Sequence, residues 1–503
     1  MWSPGPVHHV RVLVRGACVV MLAGVLLLGA ASVASASSLP PIRHVFVLID
    51  ENESESTTFG PGSEAPYLSQ TLVSQGAYLS HYYGIGHASL DNYIAMVSGQ
   101  APNPETSGDC PTFANFNSPA LDPTGQETDQ GCLYPANVPT LMSQLGAAGL
   151  TWRAYEDSMG ADPTRESATC GHPTLGQADH TEAETPLDQY ATRHNPFVYF
   201  HSVIDNSAEC NADVVNLNQL PTDLKSAATT PNYVFITPGL CDDGHDASCA
   251  NGGPGGLGQA DTFLKTWVPR ITSSPAFRQD GLLIVTFDEA VGDSSACCGE
   301  VPGPYDLAHG IQPGGNGPGG GLVGAVLLSR YIAPGTTSSV DYNHYSMLGT
   351  VEDLFRLPRL ADAVGTTAFG SDVFTKVAPQ DSRPKLSPAQ WSHKHPRTTI
   401  SYTDSEAAVT TLAIEAMLPG YRRGHGTCRA LAPAQKRPKH RSACTATKSI
   451  GGFTHTDTAG KNTVNFRDRV GRHTLAPGNY VLAVTPVLGS LRGTTQTARF
   501  QVR

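Results

Sequence analysis

Between residues 42 and 376, short and nearly continuous apolar runs alternate with longer segments of helical periodicity. Apolar runs of about four to eight residues with few polar interruptions are typical of strands that are buried on both faces. Helices between such strands provide the crossovers that parallel strands need. The pattern therefore predicts an α/β fold with a mostly parallel central sheet covered by helices on both faces. The predicted strands are HVFVLID (44–50), TWRAYED (151–157), NYVFITP (232–238), LLIVTFDE (282–289) and GAVLLS (324–329), and the predicted helices span 65–77, 139–149, 259–271 and 344–357.

The last fifth of the chain has a different pattern. Residues 399–503 contain short segments of alternating polarity separated by glycine, which predicts a small antiparallel β-sandwich domain. Residues 377–398 are rich in proline, serine and charge and show no periodicity, which is typical of a linker. At 503 residues the chain also exceeds what one hydrophobic core usually serves. We therefore predict a catalytic domain over 42–376, a linker over 377–398 and an accessory domain over 399–503.

The N-terminus has the features of a secretory signal. Arg11 and Arg15 precede an apolar stretch from Ala17 to Val33, and small residues at 34–36 match the pattern that signal peptidase cleaves. A membrane span needs about 20 apolar residues, and this stretch is shorter. Residues 1–36 are therefore predicted to be a signal peptide cleaved near Ala36, with an uncleaved anchor as the alternative. We predict a secreted protein with no stable membrane anchor.

The cysteines support an oxidising location. Loss of the signal would remove Cys18 and leave ten of the eleven cysteines, an even number that predicts disulfides. Cys428 and Cys444 lie far from the others and are expected to pair with each other. A bond between the adjacent residues Cys297 and Cys298 would strain the backbone, so each is expected to have a distant partner.

The charge distribution limits the classes of partner. A net charge of −11 argues against nucleic acid as the main partner. Residues 421–444 are nevertheless locally basic. A solvated loop between two strands explains this run, and contact with a cell surface through the C-terminal domain is the alternative.

Two predicted strands end in acidic residues. Asp50, Glu51 and Asn52 follow the first strand, and Asp288 and Glu289 follow the fourth. Ligands bind beyond the carboxyl ends of the strands in such sheets, where these oxygens would meet around a cation. Each group alone could instead cap the following helix. Oxygen ligands favour a hard divalent cation such as calcium or magnesium.

A candidate nucleophile lies at a predicted helix start. In GHASLDNYIAMVSG, Ser89 precedes an apolar helical run and Asn92 follows within the first turn. Ser89 in this position could simply be the helix N-cap. Alternatively, the free N–H groups of the helix start would bind a phosphate and favour the serine alkoxide. His194 in RHNPFVYF and His245 in ITPGLCDDGHD are polar loop residues that could approach the same edge of the sheet.

These motifs together resemble those of a known family. DEN followed by FG, GHASLDNYIAMVSG, RHNPFVYF, ITPGLCDDGHD, IVTFDE and NHYSMLGTVEDLF occur in this order over about residues 42–376. They are similar to the phosphoesterase family of bacterial acid phosphatases and phospholipases C, within the alkaline-phosphatase-like superfamily. The strongest likeness is to the secreted acid phosphatase type that includes phosphatidylinositol 3-phosphatases.

The resemblance implies roles for individual residues. Ser89 would be the nucleophile that takes the phosphoryl group and would also contact one divalent metal ion. The further metal ligands would be Glu51, Asn52, Asp288 and Glu289, and the residues that hold phosphate oxygens or protonate the leaving group would be Asn92, His194 and His245. Histidines near their ordinary pKa of about 6.5 are cationic in mild acid, so an acidic optimum is expected.

The expected function is a secreted, metal-dependent phosphatase. It would hydrolyse phosphate monoesters of small molecules or lipids, with phosphoinositides among the candidates, through a phosphoserine intermediate. A phospholipase C or another phosphodiesterase is the first alternative, because both activities use such a site. A surface-binding protein without catalytic activity is the second alternative.

Overall fold

The computed structural model describes most of the chain beyond residue 38. The described residues are 39–315, 317–376, 379–405, 407–423, 427–432, 435–488 and 491–503. The predicted signal peptide, residues 1–36, lies outside them. No helix within the described ranges is both long enough and apolar enough to span a bilayer.

Eight strands form the central sheet, in the order β5-β4-β6-β1-β7-β8-β2-β9. All of them run in one direction except β8, which is antiparallel to both of its neighbours. Strands β3 and β10 form a separate parallel pair. The ten strands are β1 (His44–Asp50), β2 (Ala77–Leu79), β3 (Tyr82–Tyr83), β4 (Trp152–Glu156), β5 (Val214–Asn216), β6 (Tyr233–Thr237), β7 (Gly281–Phe287), β8 (Ala325–Ser329), β9 (Thr336–Ser338) and β10 (Tyr342–Asn343).

The two central strands explain why the sequence pattern was nearly continuous in apolar residues. Every residue of β1 and of β7 is buried. Because successive side chains of a strand point to opposite faces, burial of all of them requires cover on both faces of the sheet. The predicted mostly parallel sheet with helical layers is therefore confirmed.

Helices surround this sheet. The ten residues of α3 are all buried, and α3 packs against α11. The predicted helix over 65–77 is mainly a π-helical segment, Tyr67–Leu72, which continues into α2. The α-helices are α1 (Glu55–Phe59), α2 (Val73–Gln75), α3 (Ser89–Ser98), α4 (Leu141–Ala147), α5 (His201–Ile204), α6 (Ser207–Asp213), α7 (Leu220–Asp223), α8 (Gly256–Ser273), α9 (Pro275–Asp280), α10 (Pro304–His309) and α11 (His344–Phe355). The 3-10 helices are Thr106–Gly108, Thr192–His194, Pro196–Tyr199, Leu217–Gln219 and Ala361–Ala363.

The C-terminal region is a β-sandwich, as predicted. Two sheets share one apolar core. The first sheet has three strands, β11-β13-β17, and the second has seven strands, β12, β14, β15, β16, β20, β21 and β22. Strands β18 and β19 form a separate hairpin. The strands are β11 (Lys385–Ser387), β12 (Gln390–Trp391), β13 (Thr398–Asp404), β14 (Val409–Arg423), β15 (Thr427–Ala430), β16 (Ala443–Thr456), β17 (Gly460–Phe466), β18 (Arg469–Val470), β19 (His473–Thr474), β20 (Gly478–Leu488), β21 (Leu491–Arg492) and β22 (Gln496–Val502).

Part of the predicted linker belongs to this sandwich. Strands β11 and β12 lie within residues 377–398 and pair with β13 and β22. Trp391 of β12 is buried and stacks on Phe500 with ring centroids 5.0 Å apart. The sequence did not indicate these strands, because each has too few residues to show an alternating pattern. The surrounding proline and serine residues are typical of a linker.

The ten cysteines that the structure describes form five disulfides: Cys110–Cys132, Cys170–Cys210, Cys241–Cys249, Cys297–Cys298 and Cys428–Cys444. The predicted pair Cys428–Cys444 is confirmed. The expectation of distant partners for Cys297 and Cys298 is wrong, because the other eight cysteines pair among themselves. The backbone N–H groups of both residues donate to Glu300 Oε2, at 3.1 and 2.8 Å, so one carboxylate oxygen accepts from both amides.

Candidate active site

The ends of three neighbouring strands bring acidic residues together. Strand β1 lies between β6 and β7 in the sheet, and Asp50 at its end is opposite Phe287 of β7. Asn52 N–H donates to Asp288 Oδ1 at 2.9 Å, which ties the loop after β1 to the loop after β7. Glu51 N–H donates to the carbonyl of Asp243, in the loop after β6, at 2.8 Å. The edge is therefore assembled by backbone hydrogen bonds.

Ser89 joins this edge as the first residue of α3. The N-cap is Ala88, whose side chain makes no capping bond, so the alternative role of Ser89 as a helix cap is wrong. The Ser89 hydroxyl instead donates to Glu51 Oε2 at 2.8 Å. One turn later on the same helix face, Tyr93 donates to Glu51 Oε1 at 2.6 Å. Both oxygens of Glu51 are thus held by α3.

The carboxylates of the edge are crowded and buried. Burial raises the pKa of Glu51 well above its ordinary value, and the nearby Asp288 and Asp243 carboxylates raise it further. Burial also raises the pKa of Asp288, although the Asn52 N–H and contacts with the Glu51 and Ser89 side chains oppose this shift. Such a cluster of buried negative charge requires a cation or protons to offset its repulsion.

The residues at this edge fit a hard divalent cation. Asp243 Oδ2 and Asp288 Oδ2 are buried, and neither has a hydrogen-bond partner in the described part of the chain. Carboxylate oxygens together with a hydroxyl are the ligands that calcium and magnesium prefer. The predicted ligands Glu51, Ser89 and Asp288 meet here, and Asp243 is an additional candidate.

The other two predicted ligands are placed differently. The Asn52 amide donates to Glu51 Oε2 at 3.1 Å, so Asn52 lies within the cluster. Glu289 forms an ion pair with His87. Burial raises the pKa of Glu289 to about 7, against the opposing effect of His87. The metal contacts of Asn52 and Glu289 stay predictions.

His194 lies deep in the site. Its ring stacks on Tyr93 with centroids 5.4 Å apart, and Nε2 is 3.4 Å from Glu51 Oε2. Burial lowers the pKa of His194 well below its ordinary value, and the neighbouring Arg193 cation lowers it further. Burial thus disfavours the cationic form of His194 that the sequence predicts in mild acid.

His245 lies at a more accessible position. Its side chain is 40% exposed, and Nδ1 is 2.6 Å from Asp246 Oδ1. Its backbone N–H donates to Asp243 Oδ1 at 2.9 Å, which ties it to the acidic edge. The hydrogen bond with Asp246 raises the pKa of His245 despite partial burial. Of the two predicted histidines, His245 is the one that carries a positive charge in mild acid.

Asn92 organises the loop before the nucleophile. Its Oδ1 accepts from the N–H groups of Ile85 and Gly86 at 2.6 and 3.2 Å. Its Nδ2 donates to the carbonyls of Gly86 and Ala88 at 3.0 and 2.9 Å. Both amide hydrogens are therefore committed within the loop, and the phosphate contact of Asn92 stays a prediction.

Asn92→Ala is expected to lower both stability and activity. The substitution removes four hydrogen bonds to backbone groups of the loop, three of them buried, which costs on the order of 3 kcal/mol in the free energy of unfolding. Because this loop leads directly into Ser89, we also expect kcat to fall by about tenfold or more. Thermal unfolding and steady-state kinetics measure the two effects.

A matched control for this substitution exists in the C-terminal domain. Asn462 makes the same kind of loop bonds, with Nδ2 donating to the carbonyls of Thr458 and Gly460. Asn462→Ala should therefore destabilise the protein without lowering the kcat of the folded fraction. Equal kcat for Asn92→Ala and Asn462→Ala would contradict the role of Asn92 in positioning Ser89.

Three residues near the site were not singled out from the sequence as functional. Tyr93 follows Ser89 by four positions, a spacing that places both on one helix face and could have identified it. Asp243 lies next to Asp242 in a loop with several acids, so the sequence did not show which of them belongs to the site. Arg193 is buried next to His194, and the carboxylates of Asp109, Glu51 and Asp243 raise its pKa despite burial. Arg193 therefore brings a permanent positive charge close to the carboxylates.

Comparisons with known proteins identify the family of this chain. Residues 61–358 match the model of the phosphoesterase family. An acid phosphatase of Aspergillus fumigatus is 25% identical over 58% of this chain and 50% of its own length. A phosphate-repressible acid phosphatase of Penicillium chrysogenum is 26% identical over 61% of this chain and 58% of its own. The chain thus spans little more than half the length of these fungal relatives.

A bacterial relative is matched over more of its length. A phosphatidylinositol-3-phosphatase of Mycobacterium tuberculosis is 25% identical over 65% of this chain and 81% of its own. A crystal structure of an alkaline phosphatase superfamily protein from Vibrio parahaemolyticus overlaps with a TM-score of 0.38, at 12% identity over 73% of this chain and 76% of that one. The family match covers more than half of the chain, including Ser89 and Asp288, and the chain belongs to the phosphoesterase family.

Proposed function

We propose that this protein is a metal-dependent phosphatase that hydrolyses phosphate monoesters, with Ser89 as its nucleophile. The observation that carries the proposal is the hydrogen bond of the Ser89 hydroxyl to Glu51 Oε2, within a cluster of buried carboxylates. Ser89 neither caps its helix nor faces solvent. It contacts an acid that lies beside further acids, and these are the surroundings of an activated nucleophile.

Ser89, Glu51 and His245 have separate roles in the proposed reaction. Ser89 Oγ attacks phosphorus, a new Oγ–P bond forms, and the bond between phosphorus and the leaving alcohol oxygen breaks. Glu51 Oε2 accepts the hydroxyl proton in the structure and takes it in this step. His245, which is cationic in mild acid, donates a proton to the leaving oxygen. Water then attacks the phosphorus of the phosphoserine, a new O–P bond forms, and the Oγ–P bond breaks. His245, now neutral, takes a proton from this water, and Glu51 returns its proton to Ser89 Oγ. Phosphate is released, and the Ser89 hydroxyl and both starting protonation states are restored.

A divalent cation bound at this edge by Glu51, Asp288 and neighbouring oxygens would stabilise the negative charge of the reacting phosphoryl group. Arg193 adds positive charge on the side of Asp109 and Asp243. Phosphate monoester hydrolysis is among the slowest uncatalysed reactions, with enzymatic accelerations of up to about 10²¹-fold. A reaction of this kind depends on charge stabilisation more than on proton transfer.

The relatives suggest the class of substrate. Two are named acid phosphatases, and the bacterial relative is named a phosphatidylinositol-3-phosphatase. We therefore propose phosphate monoesters as substrates and include the phosphate groups of phosphoinositide lipids. We also propose that the protein is secreted, which the five disulfides support.

A direct comparison of esters tests the substrate class. We expect 4-nitrophenyl phosphate to be hydrolysed with a kcat/KM at least about tenfold higher than bis(4-nitrophenyl) phosphate, because a dianionic monoester offers more charge to the cation and to Arg193. Release of 4-nitrophenol measures both reactions. Hydrolysis of the diester alone would assign a phosphodiesterase, and hydrolysis of neither ester nor of phosphatidylinositol 3-phosphate would favour a protein without this activity.

A further inference from the structure

The C-terminal sandwich contains a second cluster of acids, far in sequence from the catalytic residues. Asp381 precedes β11, Asp404 ends β13, and Asp457 follows β16. All three are buried, with exposed fractions of 5%, 3% and 3%. One carboxylate oxygen from each lies within 4.8 Å of the others. Asp381 and Asp404 also face each other in an isolated antiparallel bridge.

Hydrogen bonds satisfy only part of this cluster. Asp457 Oδ1 accepts from the Tyr402 hydroxyl at 2.9 Å and also contacts His455 Nδ1. Asp381 Oδ2 lies 3.4 Å from the buried Thr410 hydroxyl. Asp381 Oδ1 and Asp457 Oδ2 are buried, and each has no hydrogen-bond partner among the described residues. Two carboxylate oxygens therefore lie inside the sandwich with no donor.

Ion pairs within the described ranges compensate Asp457 but not Asp381. Within the described ranges, no lysine or arginine forms an ion pair with Asp381 or Asp457, and His455 pairs with Asp457 alone. Burial, together with the neighbouring Asp404 and Asp457, raises the pKa of Asp381 to about 7. Native proteins rarely bury acids at such short range unless a cation or a shared proton compensates them.

We propose that Asp381, Asp404 and Asp457 form a calcium-binding site, with the Thr410 hydroxyl as a further oxygen ligand. The donor set contains only oxygen, which favours a hard cation. The ligands come from separate segments of the chain, so their arrangement is not set by one regular loop. Calcium accepts such irregular arrangements, whereas magnesium demands near-ideal octahedral geometry and retains its water.

The positions of the ligands indicate what the ion does. Asp404 belongs to the three-stranded sheet, while Thr410 and Asp457 belong to or directly follow strands of the seven-stranded sheet. Asp381 lies on the segment that leads into the sandwich. An ion bound by all of them links both sheets and this entering segment. The site is therefore structural, and it is independent of the catalytic edge.

Calcium-dependent stability of the full-length protein tests this proposal. After treatment with a chelator and its removal, adding calcium at about 100 times its Kd should raise the Tm of the sandwich transition by about 5–15 °C. Asp381→Asn should lose most of this increase. In chelator, Asp381→Asn should be at least as stable as the parent protein, because one buried charge has been removed. Asp288→Asn, at the catalytic edge, should keep the calcium response of the sandwich.

A matched control comes from the same domain. Asp468 is also buried, but it is paired with His393 at 2.7 Å. Asp468→Asn should retain the full increase in Tm on addition of calcium. An equal calcium response in the parent protein, Asp381→Asn and Asp457→Asn would overturn the proposal. An equal increase with magnesium at the same concentration would overturn the assignment to calcium.

Terbium luminescence provides a second measurement that does not depend on stability. Terbium replaces calcium at oxygen sites, and Tyr402 lies close enough to Asp457 to sensitise its emission. We expect emission excited through tyrosine that calcium displaces and that Tyr402→Phe reduces by at least about half without weakening calcium binding. Emission unaffected by both Tyr402→Phe and Asp457→Asn would contradict the site, even if Asp381→Asn failed to fold.

Discussion

Replacing Ser89 with alanine is expected to lower kcat by at least about 10³-fold with a phosphate monoester as substrate. The substitution removes the oxygen that would form the bond to phosphorus. It also removes the hydrogen bond to Glu51 Oε2 but leaves the second bond to this acid, from Tyr93, in place. The fold should therefore survive, and thermal unfolding should show a Tm close to that of the parent protein.

Ser98 is the matched control for this substitution. It lies at the other end of α3, is also buried, and its hydroxyl donates to the carbonyl of Ile94 at 2.7 Å. Ser98→Ala should cost about 1 kcal/mol in the free energy of unfolding and change kcat by less than about twofold. Turnover by Ser89→Ala within tenfold of the parent would remove Ser89 from the mechanism.

The second large effect is expected from Asp288→Asn. Asp288 contacts Glu51 and Ser89, and its Oδ2 is buried with no hydrogen-bond partner among the residues that the structure describes. An amide keeps the shape of the side chain but removes the charge that would attract the cation. We expect the bound divalent metal, measured by mass spectrometry, to fall by about one equivalent and kcat to fall by about 10³-fold or more.

The other end of the same strand provides the control. Asp280 directly precedes β7, whereas Asp288 directly follows it, and Asp280 pairs with His44 at 2.6 Å. Asp280→Asn should lower stability but leave the metal content and kcat unchanged. Full metal content in Asp288→Asn, or equal loss of metal in both variants, would contradict a cation site at the carboxyl edge of the sheet.

The long strands could be predicted closely because burial dictates their composition. HVFVLID matches β1 at both ends, and the runs predicted around β4, β6, β7 and β8 differ from the strands by at most two residues at either end. The antiparallel direction of β8 was not visible, because an apolar run has the same composition in either direction. Strands β2, β5 and β9 have only three residues each, too few to show a pattern.

The convergence of Glu51, Ser89 and Asp288 was also predictable. Two of these residues follow parallel strands whose carboxyl ends must meet at one edge, and the third begins a helix. The assignment of Asn92 to phosphate did not anticipate its four bonds within the loop, because such bonds depend on a backbone path that residue types do not reveal. The lowered pKa of His194 depends on burial, which the sequence of a loop does not indicate.

The contact among the three acids of the C-terminal domain could not be predicted from the sequence. Asp381 lies in a segment with the composition of a linker, Asp404 ends a strand of one sheet, and Asp457 follows a strand of the other sheet. Nothing in their spacing indicates that they meet, because the packing of one sheet on another determines their distance. Short-range patterns predict elements, whereas contacts between sheets require the assembled fold.

The position of covalently bound phosphate tests the central claim most directly. The protein is mixed with a phosphate monoester, quenched in acid within milliseconds and digested, and its peptides are analysed by mass spectrometry. The account predicts a phosphate on Ser89, absent in Ser89→Ala and present in Ser98→Ala. Phosphate carried by another hydroxyl of the site, such as that of Tyr93, during normal turnover would contradict it.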